Sequence, residues 1–265
     1  TFGWRDDPRK DDAWYAKQKA TKDAVLLAQE LEMDFTASIE GIAIPALWVR
    51  AAVDLELPKS GGKPVLGMDI AEEGDNQTVL IPRFGPVIGV PIGWQHANTT
   101  ATAWRARDHA HAMLATEVYY DCVGVGAGVR GTWQTASEPL RFTPIAINTG
   151  DAPTDARWPD GKSSKEKFVN LRAELWWKLR TRFERTYEYR EKGIKHPVDE
   201  LISIPNHQQL VAELSMALVE QNDKGKIQIE SKKKMKARGI KSPDFADALC
   251  LAFAENPARQ FNCSF

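Results

Sequence analysis

The alternation of apolar and polar positions changes character near residue 63. Upstream, Asp11 to Leu31 has helical composition, with Trp14, Val25, Leu26, Leu27 and Leu31 available for an apolar stripe. Gly41 to Pro45 interrupts this pattern, and Pro58-Lys59-Ser60-Gly61-Gly62 reads as a linker. From Pro64 the chain turns β-rich, in three runs: Pro64 to Ala71, Gln77 to Arg83 and Pro86 to Gly93. Their short Gly/Asp/Asn and Phe84-Gly85-Pro86 joints suit antiparallel hairpins. The pattern then predicts a helix over Thr100 to Ala115, a strand over Thr116 to Val123, a glycine-rich turn with a short helix, and a strand over Phe142 to Ile147.

A Pro/Asp/Gly loop at 148–162 precedes a long predicted helix, Ser163 to Tyr189, apolar at Phe168, Leu171, Leu175, Trp176 and Leu179. Val198 to Ile204 is strand-like, and Gln208 to Leu218 helical. Lys226 to Glu230 alternates, as half of a hairpin with the lysine-rich run after it would. The last helix opens at Ser242-Pro243-Asp244, with Ser242 as its N-cap and Pro243 at its first helical position. Hairpin-joined strands followed by helix, strand, helix and strand predict a mixed α/β sheet.

Composition narrows the class without choosing a function. The 265 residues suffice for one large domain or two small ones, and 43% hydrophobic with 27% charged residues is ordinary for a globular protein. No apolar run is long enough for a membrane-spanning helix, and the first residues lack a secretory pattern. A start at Thr1 in place of Met predicts a piece of a longer chain. Cys122, Cys250 and Cys263 have neither metal-ligand spacing nor an even-numbered disulfide framework, which fits a reducing, intracellular setting.

Two features carry candidate chemistry. Asp69 and Asp121 each end a predicted strand, and Asp247 sits among apolar residues on the last helix, with Asp244 one turn earlier on the same face. Carboxylates converging from separate elements repel, and a hard divalent cation resolves that repulsion. Beside them, Lys232, Lys233, Lys234, Lys236, Arg238 and Lys241 form a basic stripe in a chain whose net charge is only −1, consistent with a polyanion-binding face.

Gly67-Met68-Asp69-Ile70-Ala71, Tyr119-Tyr120-Asp121 with the glycines that follow, and Lys241-Ser242-Pro243-Asp244 through Leu249 resemble the nuclease domain of large terminase subunits, the packaging motors of tailed double-stranded DNA phages. The resemblance covers roughly residues 63–256. It implies an RNase H-like fold, a five-stranded mixed sheet with helices on both faces. It implies a metal-dependent endonuclease cutting double-stranded viral DNA during packaging, with Asp69, Asp121 and Asp247 as catalytic metal ligands. Asp244 is a further candidate ligand, and the cofactor would be two Mg²⁺ or Mn²⁺ ions. Residues 1–62 then correspond to the segment joining a missing ATPase, and 257–265 to a tail. The implied partners are double-stranded DNA and, in a full-length protein, the small terminase subunit and the portal, with no membrane, in the host cell cytoplasm. No ATP turnover is expected, because Gly161-Lys162-Ser163 has Ala156 where a phosphate-binding loop needs its first glycine.

Other readings stand beside this one. Gly126-Ala127-Gly128-Val129-Arg130-Gly131 matches a dinucleotide-binding pattern, with Asp151 about 20 residues on. That reading leaves Asp69 and the last helix unexplained. A non-catalytic DNA-binding module of the same fold, or a junction resolvase, would share the basic stripe. Of the two acids on the last helix, Asp247 is expected to be the strained one without metal, because its sequence neighbours are apolar, and its loss should not destabilise the metal-free fold. Asp69→Asn is expected to leave stability unchanged or raised, because it removes like-charge repulsion. Asp244, in the first helical turn, is expected to be favoured by the helix end.

Overall fold

The computed structural model describes residues 41–58, 62–71, 76–95 and 97–256. The helix predicted over Asp11 to Leu31 and the tail 257–265 lie outside the described residues. Strand β1 (Val65–Asp69) runs antiparallel to β2 (Thr78–Phe84) on one side and parallel to β5 (Glu117–Asp121) on the other. Strand β6 (Thr143–Ile147) continues the parallel half. The third β-rich run is split into β3 (Val87–Ile88) and β4 (Ile92–Trp94), both paired with β2. Between them lies Gly89-Val90-Pro91, where the proline has no N–H to give a ladder. The sheet order is β3-β2-β1-β5-β6 with β4 beside β2, the mixed sheet expected, carrying one short extra strand.

Strand alternation assigns the two faces. Leu66 and Met68 of β1, with Val118 and Tyr120 of β5, pack against α2 (Thr99–Ala112) and α3 (Val125–Gln134). Tyr119, Val79 and Ile81 face the opposite core, built by α1 (Ala46–Ala52), α5 (Leu171–Lys192) and α8 (Asp244–Ala252). The described part of the segment before residue 63 is thus packed into the core: Ile44, Val49 and Ala52 are buried, and Arg190 donates to the Ala51 carbonyl. Every residue of α8 is buried, which is why this helix reads as apolar almost all round. Gly67 lets it approach, since a Cβ there would stand 2.2 Å from the Ala248 carbonyl oxygen.

Four local expectations are corrected. The long helix is two. In α4 (Ser164–Lys167), Ser163 and Glu166 form a reciprocal capping box. The extended Phe168 and Val169 then pair with Ile227, and the Asn170 side chain caps α5. Strand β8 (Ile227–Ile229) pairs with β7 (Val219–Gln221) before it, and the lysine run after it is helix α7 (Lys232–Ala237), capped by Ser231. The stretch Val198 to Ile204 is a 3-10 turn (Val198–Glu200) followed by extended residues that make only isolated bridges. Finally, Pro243 occupies the N-cap of α8, and the Ser242 hydroxyl caps nothing. Glu213, from α6 (Gln208–Leu214), accepts hydrogen bonds from the Phe245 and Ala246 amides instead, at 2.7 and 3.1 Å.

Candidate active site

Odd positions of the parallel pair β1 and β5 face α8, so Asp69 and Asp121 emerge side by side at the C-terminal strand ends, beneath the first turn of that helix. There Asp69, Asp121 and Asp247 line a single cleft of about 60 Å³ together with Thr149, Arg172 and Lys232. The three acids singled out in the sequence are therefore brought together by the fold. Asp244 lies immediately beside them, its Oδ2 accepting the Gln77 amide at 3.0 Å.

The centre of the cluster is cationic. The Lys232 ammonium stands 3.3 Å from Asp69 Oδ2, 3.5 Å from Asp247 Oδ2 and 3.7 Å from Asp244 Oδ1. Among the described residues no three acidic, histidine or cysteine side chains form a ready-made ion cage. The lysine stands between the carboxylates that would make one. Three hard oxygen donors around one cationic point are the ligand chemistry that Mg²⁺ and Mn²⁺ take, so these residues fit such an ion once the half-exposed Lys232 side chain swings out.

Each carboxylate is held differently. Asp247 is bound from below by α5: Arg172 Nε and the Trp176 indole N–H both donate to its Oδ1, at 3.1 and 2.9 Å. Burial alone would raise its pKa, but Arg172, Lys232 and the indole outweigh it and hold Asp247 below the usual carboxylate range. Asp69 has no such support. Burial pushes it up to about 7, Lys232 opposes the shift, and the Asp247 and Asp244 charges add to it. Asp69 thus carries the like-charge repulsion expected of it, whereas Asp247, expected to be strained from its apolar sequence neighbours, is satisfied by Arg172, Lys232 and Trp176. Lys232 responds in kind: burial acts to lower its pKa, and the three carboxylates raise it overall.

Asp121 is fixed by its own strand end and by the loop after β6. Its Oδ1 accepts the Val123 amide at 3.1 Å, and its Oδ2 accepts the Thr149 hydroxyl at 2.6 Å. The Thr149 carbonyl in turn accepts the Arg172 amide, so one loop registers Asp121 against the arginine that holds Asp247. That loop is anchored by the fully buried Glu174, which takes both the amide and the hydroxyl of Thr154 at 2.7 Å. The glycines after Asp121 have packing roles. A Cβ on Gly126 would fall 1.8 Å from the Asp121 carbonyl oxygen, and one on Gly128 would meet Thr99 of α2. Gly126 and Gly128 lie inside α3 rather than in a phosphate-binding turn, so the dinucleotide reading has no loop to rest on.

The basic stripe divides. Lys232 is in the carboxylate cluster. Lys234 is paired with Glu220 at 2.7 Å and Arg238 with the buried Glu230 at 2.5 Å. Lys233, Lys236 and Lys241 line a larger cavity, about 530 Å³, that shares Lys232 and Asp244 with the carboxylate site. Trp176 reads in the sequence as an apolar helix position, and Arg172, Thr149 and Glu213 carry no signal there. Only their distance in the fold from Asp247, Asp121 and the α8 amides gives them a part.

No family model matches the sequence, and no curated protein matches it. Solved structures do. The chain is similar to the nuclease domain of the large terminase subunit gp2 of bacterial virus Sf6, at 26% identity and TM-score 0.74, over 80% of this chain and 98% of that one. A lysine-to-alanine variant of that domain with manganese superposes at TM-score 0.70 with 24% identity, over 80% and 99% of the two chains. The large terminase nuclease of thermophilic phage G20c with bound magnesium shares the fold at TM-score 0.53 and 14% identity, over 82% of this chain and all of that one.

Proposed function

We propose that this chain, similar in fold and sequence to the nuclease domain of phage large terminase subunits, is a divalent-metal-dependent endonuclease that cuts double-stranded DNA during genome packaging. The observation that carries the reading is the convergence of Asp69, Asp244 and Asp247 on one cationic point, with Asp121 in the same cleft. Asp69, Asp121 and Asp247, with Asp244 beside them, would hold two Mg²⁺ or Mn²⁺ ions. The chemistry such ions would supply there is activation of a water and stabilisation of the leaving oxygen in phosphodiester hydrolysis. Manganese and magnesium accompany related nuclease domains, which supports these two metals.

The chain's own residues set the geometry. Arg172 and Trp176 fix Asp247, Thr149 fixes Asp121, and Gly67 lets α8 carry Asp244 and Asp247 down onto β1. Lys233, Lys236 and Lys241 make no ion pair with any described residue and present charge to the DNA backbone. Lys232, Lys234 and Arg238 would reach DNA only by leaving their carboxylates. In a full-length protein the partners would be the small terminase subunit and the portal, and the compartment the host cell cytoplasm. Residues 1–62 would join an ATPase domain to the nuclease, and 257–265 would form a tail.

Supercoiled plasmid incubated with the chain tests this reading. Nicking and linearisation with Mn²⁺ or Mg²⁺, abolished by EDTA, is the expected result. The competing reading, a DNA-binding module without chemistry, draws on the Lys232 ammonium standing among the carboxylates. DNA binding without cleavage under all metal conditions would establish it.

A further inference from the structure

We propose that the cavity beside the carboxylates is a subsite for one unstacked nucleotide of the strand being cut, an inference that rests on the nuclease reading above. The cavity, about 530 Å³, falls in the range of roughly 300–1,000 Å³ that holds a small organic ligand, and it is too narrow for a duplex to enter. Its walls have two chemistries. Lys233, Lys236 and Lys241 supply ammonium groups suited to a phosphate. Gln77 supplies a neutral amide, both donor and acceptor, of the kind that reads a base edge, and Gln209, whose Nε2 donates to Glu213 at 2.9 Å, adds a carbonyl oxygen as a further acceptor.

Two further observations point to an occupant. The Ser242 hydroxyl lines this cavity, and its oxygen is buried with no hydrogen-bond partner, a costly arrangement that a ligand's polar atom would relieve. The cavity also shares Lys232 and Asp244 with the carboxylate site. A phosphate at the carboxylates therefore brings its neighbouring nucleotide to this opening. Flipping that nucleotide costs pairing and stacking, which is least where the duplex is already opened. A surface that merely tracked the DNA backbone would need the lysines alone, and neither a cavity of this volume nor the Gln77 amide.

The test is isothermal titration of the full chain with 5′-deoxyadenosine monophosphate and, separately, with inorganic phosphate, both in EDTA. The mononucleotide is expected to bind at least about fivefold more tightly than phosphate, the difference being the contribution of base and sugar. Lys236→Ala/Lys241→Ala, at two exposed positions that leave the fold intact, should weaken both ligands by about tenfold. Gln77→Ala should weaken the mononucleotide and leave phosphate unchanged. Equal affinity for the two ligands, or mononucleotide binding indifferent to these variants, overturns the subsite. Because the titration involves no cleavage, the two readings fail separately. Metal-dependent nicking without mononucleotide binding removes only the subsite. Mononucleotide binding without nicking removes the nuclease reading and, with it, the strand being cut, leaving the cavity a nucleotide site on uncut DNA.

Discussion

The indole N–H of Trp176 donates to Asp247 Oδ1 at 2.9 Å, so a fully buried tryptophan of α5 is bonded to a carboxylate of the candidate metal site. With Arg172 on the same oxygen, this makes Asp247 a satisfied buried anion even without metal. Asp247→Ala would strand both donors. It is therefore expected to abolish cleavage and also to destabilise the metal-free fold, by on the order of 3 kcal/mol, because one partner of a buried ion pair is removed. Chemical denaturation in EDTA measures this. Unchanged stability would mean the pair contributes nothing before metal arrives.

Asp69 behaves in the opposite sense. Its folded pKa of about 7 lies above the unfolded value, so between about pH 4 and pH 7 the folded state binds more protons than the unfolded one. Stability from this group is present at acid pH and is lost as pH rises through 7. Asp69→Asn should abolish cleavage yet raise metal-free stability at pH 8, by on the order of 1–3 kcal/mol, with the gain vanishing near pH 4. Melting curves of both proteins across that range decide it. The same carboxyl must ionise to take a cation, so Mn²⁺ affinity should climb with pH up to about 7.

Lys232 competes for the position a cation would take. Lys232→Ala removes an ammonium lying within 4 Å of three carboxylates and should tighten Mn²⁺ binding by about tenfold or more. The metal-free protein should lose stability, since the acids then face one another unneutralised. Calorimetric titration of Mn²⁺ reads the first effect, and weaker binding by the variant would mean that the lysine supports the site.

The division of the basic stripe predicts unequal roles in DNA binding. Each of Lys233, Lys236 and Lys241 changed to Ala should flatten the log–log salt dependence of DNA affinity by about 0.9. Lys234→Ala should leave the slope unchanged, because Glu220 already engages that ammonium. Fluorescence anisotropy over a salt series separates the two groups. Equal slopes for all four variants would return the stripe to an undifferentiated charged face.

Glu213 is expected to position α8. Glu213→Ala leaves the Phe245 and Ala246 amides without their acceptor and should cost about 1–3 kcal/mol, with a weaker affinity for Mn²⁺. Glu213→Gln keeps a carbonyl oxygen there and should restore most of both. A glutamine variant as impaired as the alanine one would show that the charge, not the hydrogen bonds, matters.

Much of the fold was legible because it is local. The β-rich runs at Pro64 to Ala71 and Gln77 to Arg83 and the strand read at Thr116 to Val123 match β1, β2 and β5 within a few residues, since a short apolar run bounded by turn residues is a local signal. The acids at the ends of β1 and β5 and on α8 were visible for the same reason, as charges misplaced in apolar surroundings. What the sequence could not contain is which groups meet each charge. Asp247 looked strained among Ala246, Ala248 and Leu249, but its relief comes from Arg172 and Trp176, more than 70 residues away. Asp69 draws on Lys232 instead, while the Asp244 and Asp247 charges stand against it. The lysine run looked like one stripe. Helix α7 turns Lys232 into the carboxylates and leaves Lys234 to Glu220, while Lys233, Lys236 and Lys241 line the neighbouring cavity. Charge and periodicity are written residue by residue. Desolvation and pairing are set by distance across the fold, and only the packed tertiary structure decides them.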